Sequence, residues 1–136
     1  MLKSYRVLDL GQFVAAPTCS RIMAEIGAEV IKVELLPDGD RGRFSGLKPR
    51  GFGVENTSAS TYYFQHNHTK KSFAIDYKTS RGREILLQLV KCSDVLVENF
   101  APGVMARHGL AYENLKEINP GLVMCSISLA GQSGPL

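Results

Sequence analysis

Residues 5–34 constrain the fold more than any other stretch, because two β-favouring runs flank one amphipathic helix there. Arg6-Val7-Leu8-Asp9-Leu10 is the first run, and Gly11 punctuates it. Cys19, Ile22, Met23 and Ile26 recur at i, i+3, i+4 and i+7, the spacing of one helical face. Pro17 suits the first helical turn, where its missing N–H is no loss. Gly27 suits the position just past the helix end, where a left-handed φ is often needed. Val30-Ile31-Lys32-Val33-Glu34 is the second run. Strand, helix and strand in this order form a right-handed unit with parallel strands. Such units bind ligands at the carboxyl ends of their strands. Residues 9–17 and 34–40 are therefore the first places to look for function.

The alternation continues. Residues 36–55 form a long loop, with seven glycines and prolines interleaved with Arg41, Arg43, Lys48 and Arg50. Loops of this length are uncommon unless they carry a function. Within it Gly51-Phe52-Gly53 is not a dinucleotide fingerprint, since Asn56 stands at the third glycine and no strand precedes it. The aromatic stretch 60–67 reads as a short helix or turn packed on the sheet. Ser72-Phe73-Ala74-Ile75-Asp76 reads as a third strand, and Thr79 or Ser80 caps a helix over 81–91. Asp94-Val95-Leu96-Val97-Glu98 is a nearly continuous apolar run, as in a strand covered on both faces. Pro102 opens a short helix over 104–108, another helix spans 112–118, and a strand spans 122–128. The sum is an α/β, Rossmann-like fold with a mostly parallel sheet and flanking helices. No repeat or linker divides the chain, so residues 1–136 are expected to form one segment.

Composition removes several function classes. A formal charge of +3 is too small an excess to imply nucleic acid. No apolar run approaches the roughly 20 residues that span a bilayer. No apolar signal region follows Lys3 and Arg6, which makes the cytoplasm the default location. Cys19, Cys92 and Cys125 contain no C-x-x-C pair, so a zinc site or redox dithiol is disfavoured. Cys19 and Cys125 read as inert packed thiols. His66 and His68 could form half a metal site, but a solvated polar loop is the better reading. His108 suits the end of a short helix, where a cation complements the dipole.

Glu34 stands where a nicotinamide enzyme places the acid that holds ribose hydroxyls. The first turn, however, holds a single glycine in Gly11-Gln12-Phe13-Val14-Ala15-Ala16-Pro17, so a pyrophosphate could not approach as it does in G-x-G-x-x-G. Arg41, Arg43, Lys70, Lys71, Lys78 and Arg107 fit either ordinary solvated charge or a phosphate cradle. Neither a Ser-His-Asp or Cys-His pairing nor a P-loop can be drawn from spacing.

Taken in order, these stretches resemble the amino-terminal segment of the family III CoA-transferases of the CaiB/BaiF type. That family includes formyl-CoA, carnitine and succinyl-CoA type transferases and α-methylacyl-CoA racemases. The resemblance rests on Val7-Leu8-Asp9-Leu10, Ala15-Ala16-Pro17, Gly27-Ala28-Glu29-Val30-Ile31-Lys32-Val33-Glu34, Gly39-Asp40, Lys70-Lys71-Ser72, Asp76, Lys78 and Gly82-Arg83. It continues through Asp94-Val95-Leu96-Val97-Glu98-Asn99-Phe100, Pro102-Gly103-Val104, Gly109-Leu110, Asn119-Pro120, Cys125-Ser126-Ile127-Ser128 and Gly131-Gln132-Ser133-Gly134-Pro135. It implies a Rossmann-like large domain within a longer parent that forms an interlocked homodimer, expected in the cytoplasm with a mitochondrial or peroxisomal location left open. It implies that coenzyme A and acyl-CoA are substrates, with a carboxylate as partner, and that no metal, nucleic acid or membrane takes part. Acyl groups would move through an aspartate that first forms a mixed anhydride and then an aspartyl-CoA thioester.

Carried over residue by residue, the resemblance places Gln12, Phe13, Val14 and Ala15 at the thioester arm and Ile75 and Lys78 at the adenosine end. Asn99 and Phe100 would flank the pantetheine, and Arg107 would bind phosphate. Some positions depart from the pattern. Val14 replaces a frequent glutamine whose amide steadies intermediates, Ala15-Ala16-Pro17 replaces Ala-Gly-Pro, and Asn67-His68-Thr69-Lys70-Lys71 replaces Asn-Arg-Asn-Lys-Arg. The family's aspartate follows the Gly-Gln-Ser-Gly-Pro loop by several residues, so no catalytic residue is assigned within 1–136. This segment by itself is expected to bind CoA without turnover. The alternatives are an acyl-CoA racemase of the same family and a non-catalytic CoA-binding or pairing module.

Overall fold

A computed structural model describes residues 1–47 and 59–134. The stretch Gly51-Phe52-Gly53 lies outside the described residues. Five strands, β1 (Arg6–Asp9), β2 (Glu29–Leu35), β3 (Lys71–Ile75), β4 (Val95–Glu98) and β5 (Val123–Ser126), form one sheet in the order β3-β2-β1-β4-β5. Every pairing among the described residues is parallel, in line with the expected mostly parallel sheet. The order reverses between β1 and β4, which opens a crevice at their carboxyl ends.

Helices cover both faces. On one side lie α1 (Ala15–Glu25) and α2 (Thr61–Asn67), and on the other α3 (Ser80–Lys91), α4 (Val104–Arg107) and α5 (Tyr112–Ile118). A 3-10 turn, Arg41–Phe44, follows β2. Strand alternation sorts side chains between the faces. Leu8, Leu10, Val33 and Leu96 pack with Leu86, Val90, Leu110 and Leu115 beneath α3 to α5. Val7, Val30 and Val97 pack with Ala16 and Ala28 beneath α1. Asp9, Lys32 and Glu34 share the α1 and α2 face with Val7 and Val30, so this layer changes from apolar to charged toward the strand ends. Among the described residues, no helix is long and apolar enough to cross a membrane.

Local signals explain most boundaries. Ser60 and Thr79 cap α2 and α3, their hydroxyls accepting from Tyr63 N and Gly82 N. Gly27 follows α1 with φ 110°. Helix α4 begins after Gly103, whose φ of 79° lets the chain enter it. Gly82 has a different reason to be glycine. A Cβ there would stand 1.9 Å from the carbonyl oxygen of Asp76. Gly82→Ala should therefore push α3 off the β3–α3 turn and cost about 2 kcal/mol. Urea unfolding checks this: the midpoint should fall with the slope unchanged.

Candidate functional site

At the carboxyl end of β1, Asp9 is fully buried. Its carboxylate accepts from Gly11 N (2.8 Å), Ser20 Oγ (2.7 Å) and Lys70 Nζ (2.7 Å). Lys32, directly across from Asp9 in the strand register, is equally buried. Its ammonium lies 2.9 Å from Asp40 and 3.6 Å from Asp9, and it donates to the carbonyl of Gly11. Lys70 also donates to Pro17 O (2.8 Å) and Asn67 Oδ1 (2.9 Å). Burial pulls its ammonium below the ordinary value, against the upward pull of Asp9. Two lysines and two aspartates thus share one dry space, where charges persist only when paired.

Glu34 continues the network. Arg43 grips its carboxylate through two nitrogens, each at 2.6 Å, while Tyr63 OH (2.8 Å), Ser72 Oγ (2.9 Å) and Asp40 N (3.1 Å) also donate to it. Burial alone would raise the Glu34 pKa, but these donors outweigh it and hold the carboxyl at about 2. Arg43 lies over the Tyr63 ring at 3.9 Å. Burial, followed by the charge of Glu34, pushes the Tyr63 phenol up.

These charges brace the first turn. Asp40 Oδ1 accepts from Phe13 N at 3.0 Å, and Gln12 Oε1 accepts from Arg41 N at 2.9 Å. Across the switch point, Asn99 Oδ1 accepts from Gln12 N (2.8 Å) and Asn99 Nδ2 donates to Gln12 O (3.0 Å). Phe13 sits at φ 62°, a left-handed conformation that non-glycine residues rarely adopt.

Of the residues singled out from sequence, Gln12, Phe13, Lys78, Asn99 and Phe100 line one cleft of about 670 Å³. Tyr77 and Lys78 pass it on to a second groove of about 730 Å³, which Arg107 lines with Arg83 and His108. Ala15 joins Asn99 and Phe100 in a smaller hollow beside Ile127 and Leu129. Val14 is exposed beside the turn. Ile75 stands apart: its side chain is buried in the core beneath α3, so only its backbone can meet a ligand at this strand end.

Several sequence readings change. Lys70, Arg43 and Glu34 are committed to buried partners and drop out as phosphate or ribose ligands. Lys71 pairs with Glu29. His66 is buried rather than solvated, bonded to Thr18 Oγ1 at 3.1 Å and set edge-on to Tyr62. Burial holds its imidazole below the ordinary pKa, with Arg21 and Lys70 adding to the effect. No metal-binding cluster occurs among the described residues. Asp9, Lys32 and Asp40 were missed as the frame of the turn. The available signal was parity: Asp9 on β1, with Lys32 and Glu34 two apart on β2, place three charges on one face toward the carboxyl ends of the strands.

Comparison with known proteins adds an independent line. The family described as CoA-transferase family III matches residues 2–136. A human succinyl-CoA:glutarate CoA-transferase is 41% identical over 135 residues, 99% of this chain and 30% of the relative. A formyl-CoA:oxalate CoA-transferase of Afipia carboxidovorans is 41% identical over 128 residues, 93% of this chain and 28% of the relative. The crystal structure of a CAIB/BAIF family protein from Brucella suis superposes with a TM-score of 0.89 at 39% identity, covering 98% of this chain and 34% of that one. The chain thus spans about 30% of the length of the curated relatives it matches.

Proposed function

Because the chain belongs to CoA-transferase family III, we propose that it forms the CoA-binding part of an acyl-CoA:carboxylate CoA-transferase. The observation that carries this reading is the paired depression at the switch point. The Gln12–Phe13 turn, with Asn99 and Phe100, lies at one end, where one cation, Arg41, stands against one acid, Asp38. A groove lined by Lys78, Arg83 and Arg107, against the single acid Glu84, lies at the other. A long ligand with a thioester arm and a phosphorylated nucleotide matches that division of charge. In the proposed parent, an aspartate outside residues 1–136 attacks the thioester and CoA leaves as the thiolate. The thiolate then opens the anhydride at the aspartyl carbonyl, which releases the first carboxylate and leaves an aspartyl-CoA thioester. A second carboxylate displaces the thiolate to form a new anhydride, and the thiolate takes that acyl group and frees the aspartate. The parent is proposed to act as a homodimer.

Calorimetry of this chain with CoA tests the reading. Saturable binding is expected, with Arg107→Ala weakening it about tenfold and added salt weakening the wild type more than the variant. Absence of binding, or indifference to Arg107→Ala, would count against it. For the parent, scrambling of an α-methyl stereocentre without acyl exchange would assign racemase activity instead.

A further inference from the structure

We propose that Asp40 is a positioning residue that clamps the Phe13 turn in its left-handed conformation and so preorganises the Gln12–Phe13 end of the cleft. What that end binds rests on the reading above; the clamp itself does not. Nothing local explains φ 62° at Phe13. The residue is bulky and half-exposed, and such strain persists only where surrounding structure over-determines it. The determinant comes from 27 residues away. Asp40, fully buried, accepts from Phe13 N at 3.0 Å and from Gly42 N at 2.8 Å through the same oxygen.

Asp40 is itself fixed from two sides. Its own N–H donates to Glu34 at 3.1 Å, and Lys32 lies 2.9 Å from its other oxygen. Lys32 simultaneously holds the carbonyl of Gly11, two residues before Phe13. One cation thereby ties both flanks of the turn to the sheet, while Arg41 N fixes the side chain of Gln12. A turn held open in this way presents Gln12, Phe13 and Val14 without reorganisation when a ligand arrives, which is the condition for a preorganised site.

The test separates the clamp from a general role in folding. Glycine adopts a left-handed φ without strain, so a turn carrying Phe13→Gly no longer needs Asp40. CoA affinity is measured for the wild type, D40A, F13G and D40A/F13G. D40A should weaken binding about tenfold in the wild-type background and less than about threefold in the F13G background. An equal loss in both backgrounds, or none in either, overturns the proposal. Amide exchange followed by NMR needs no ligand: the Phe13 N–H should exchange slowly in the wild type and rapidly in D40A. Free-peptide exchange at Phe13 in the wild type overturns the proposal even if D40A fails to fold. If the wild type does not bind CoA, the functional reading falls while the exchange measurement still decides the clamp.

Discussion

Replacing Asp9 by alanine should destabilise the chain by about 3–5 kcal/mol, the cost typical of removing one partner from a buried ion pair. Asp9 is the counter-charge for Lys70 at 2.7 Å and lies 3.6 Å from Lys32, and it accepts from Ser20 and Gly11. Its removal strands a cation whose side chain is 1% exposed. The expected signature is a lower urea midpoint and a loss that a second substitution partly reverses. Lys70→Met should restore about 1 kcal/mol or more in the D9A background, by removing the stranded ammonium, yet reduce stability in the wild type. If Lys70→Met lowers stability equally in both backgrounds, the two groups are not coupled and the account of the network fails.

Acid should unfold the chain through Glu34. Its folded carboxyl titrates at about 2, against an ordinary value of 4.5. A depressed pKa of this kind adds stability that is complete above the unfolded value and is lost as pH falls toward the folded one. The full contribution is about 3 kcal/mol, and about 40% of it survives at pH 3. The stability gap between the wild type and Glu34→Gln should therefore shrink by about 2 kcal/mol from pH 7 to pH 3. A gap that holds constant across this window would place the pH dependence elsewhere. Ser72 and Tyr63 can still donate to the glutamine, but its amide nitrogen would face the N–H groups of Asp40 and Arg43. That loss does not vary with pH, so the change in the gap, and not its size, reports the charge.

Element type and order were legible because burial writes them into the spacing. Residues 5–34 carry two β-favouring runs around a helical repeat, and the strands and helix stand there. Of that repeat Cys19 and Met23 pack on the sheet, whereas Ile22 and Ile26 are exposed and Ala16, Pro17 and Ser20 face inward. Thr79 and Gly27 were readable as punctuation for the same reason. The charged layer was less legible. Lys70 and Arg43 look like any surface cations in one dimension, because sequence spacing carries no information about partners 61 and 9 residues away. Their burial arises from tertiary closure of α2 over the sheet. His66 was misread similarly, since its partner Thr18 lies 48 residues distant on α1. At the cleft, the resemblance grouped residues that the fold brings together, but it could not reveal that Ile75 turns its side chain inward.

The Gln12–Asn99 pair has a meaning beyond the cleft. Its carboxamide gives one acceptor and one donor to the backbone of Gln12, as a neighbouring peptide group would. The side chain is in effect one more rung of sheet, laid where β1 and β4 have begun to diverge. Aspartate would offer no donor, and the longer glutamine would overreach. The identity of Asn99 is therefore fixed by main-chain geometry before any ligand enters. A defect in Asn99→Ala should accordingly be assigned to a missing rung between two strands, and only what remains after that correction to a contact with the guest.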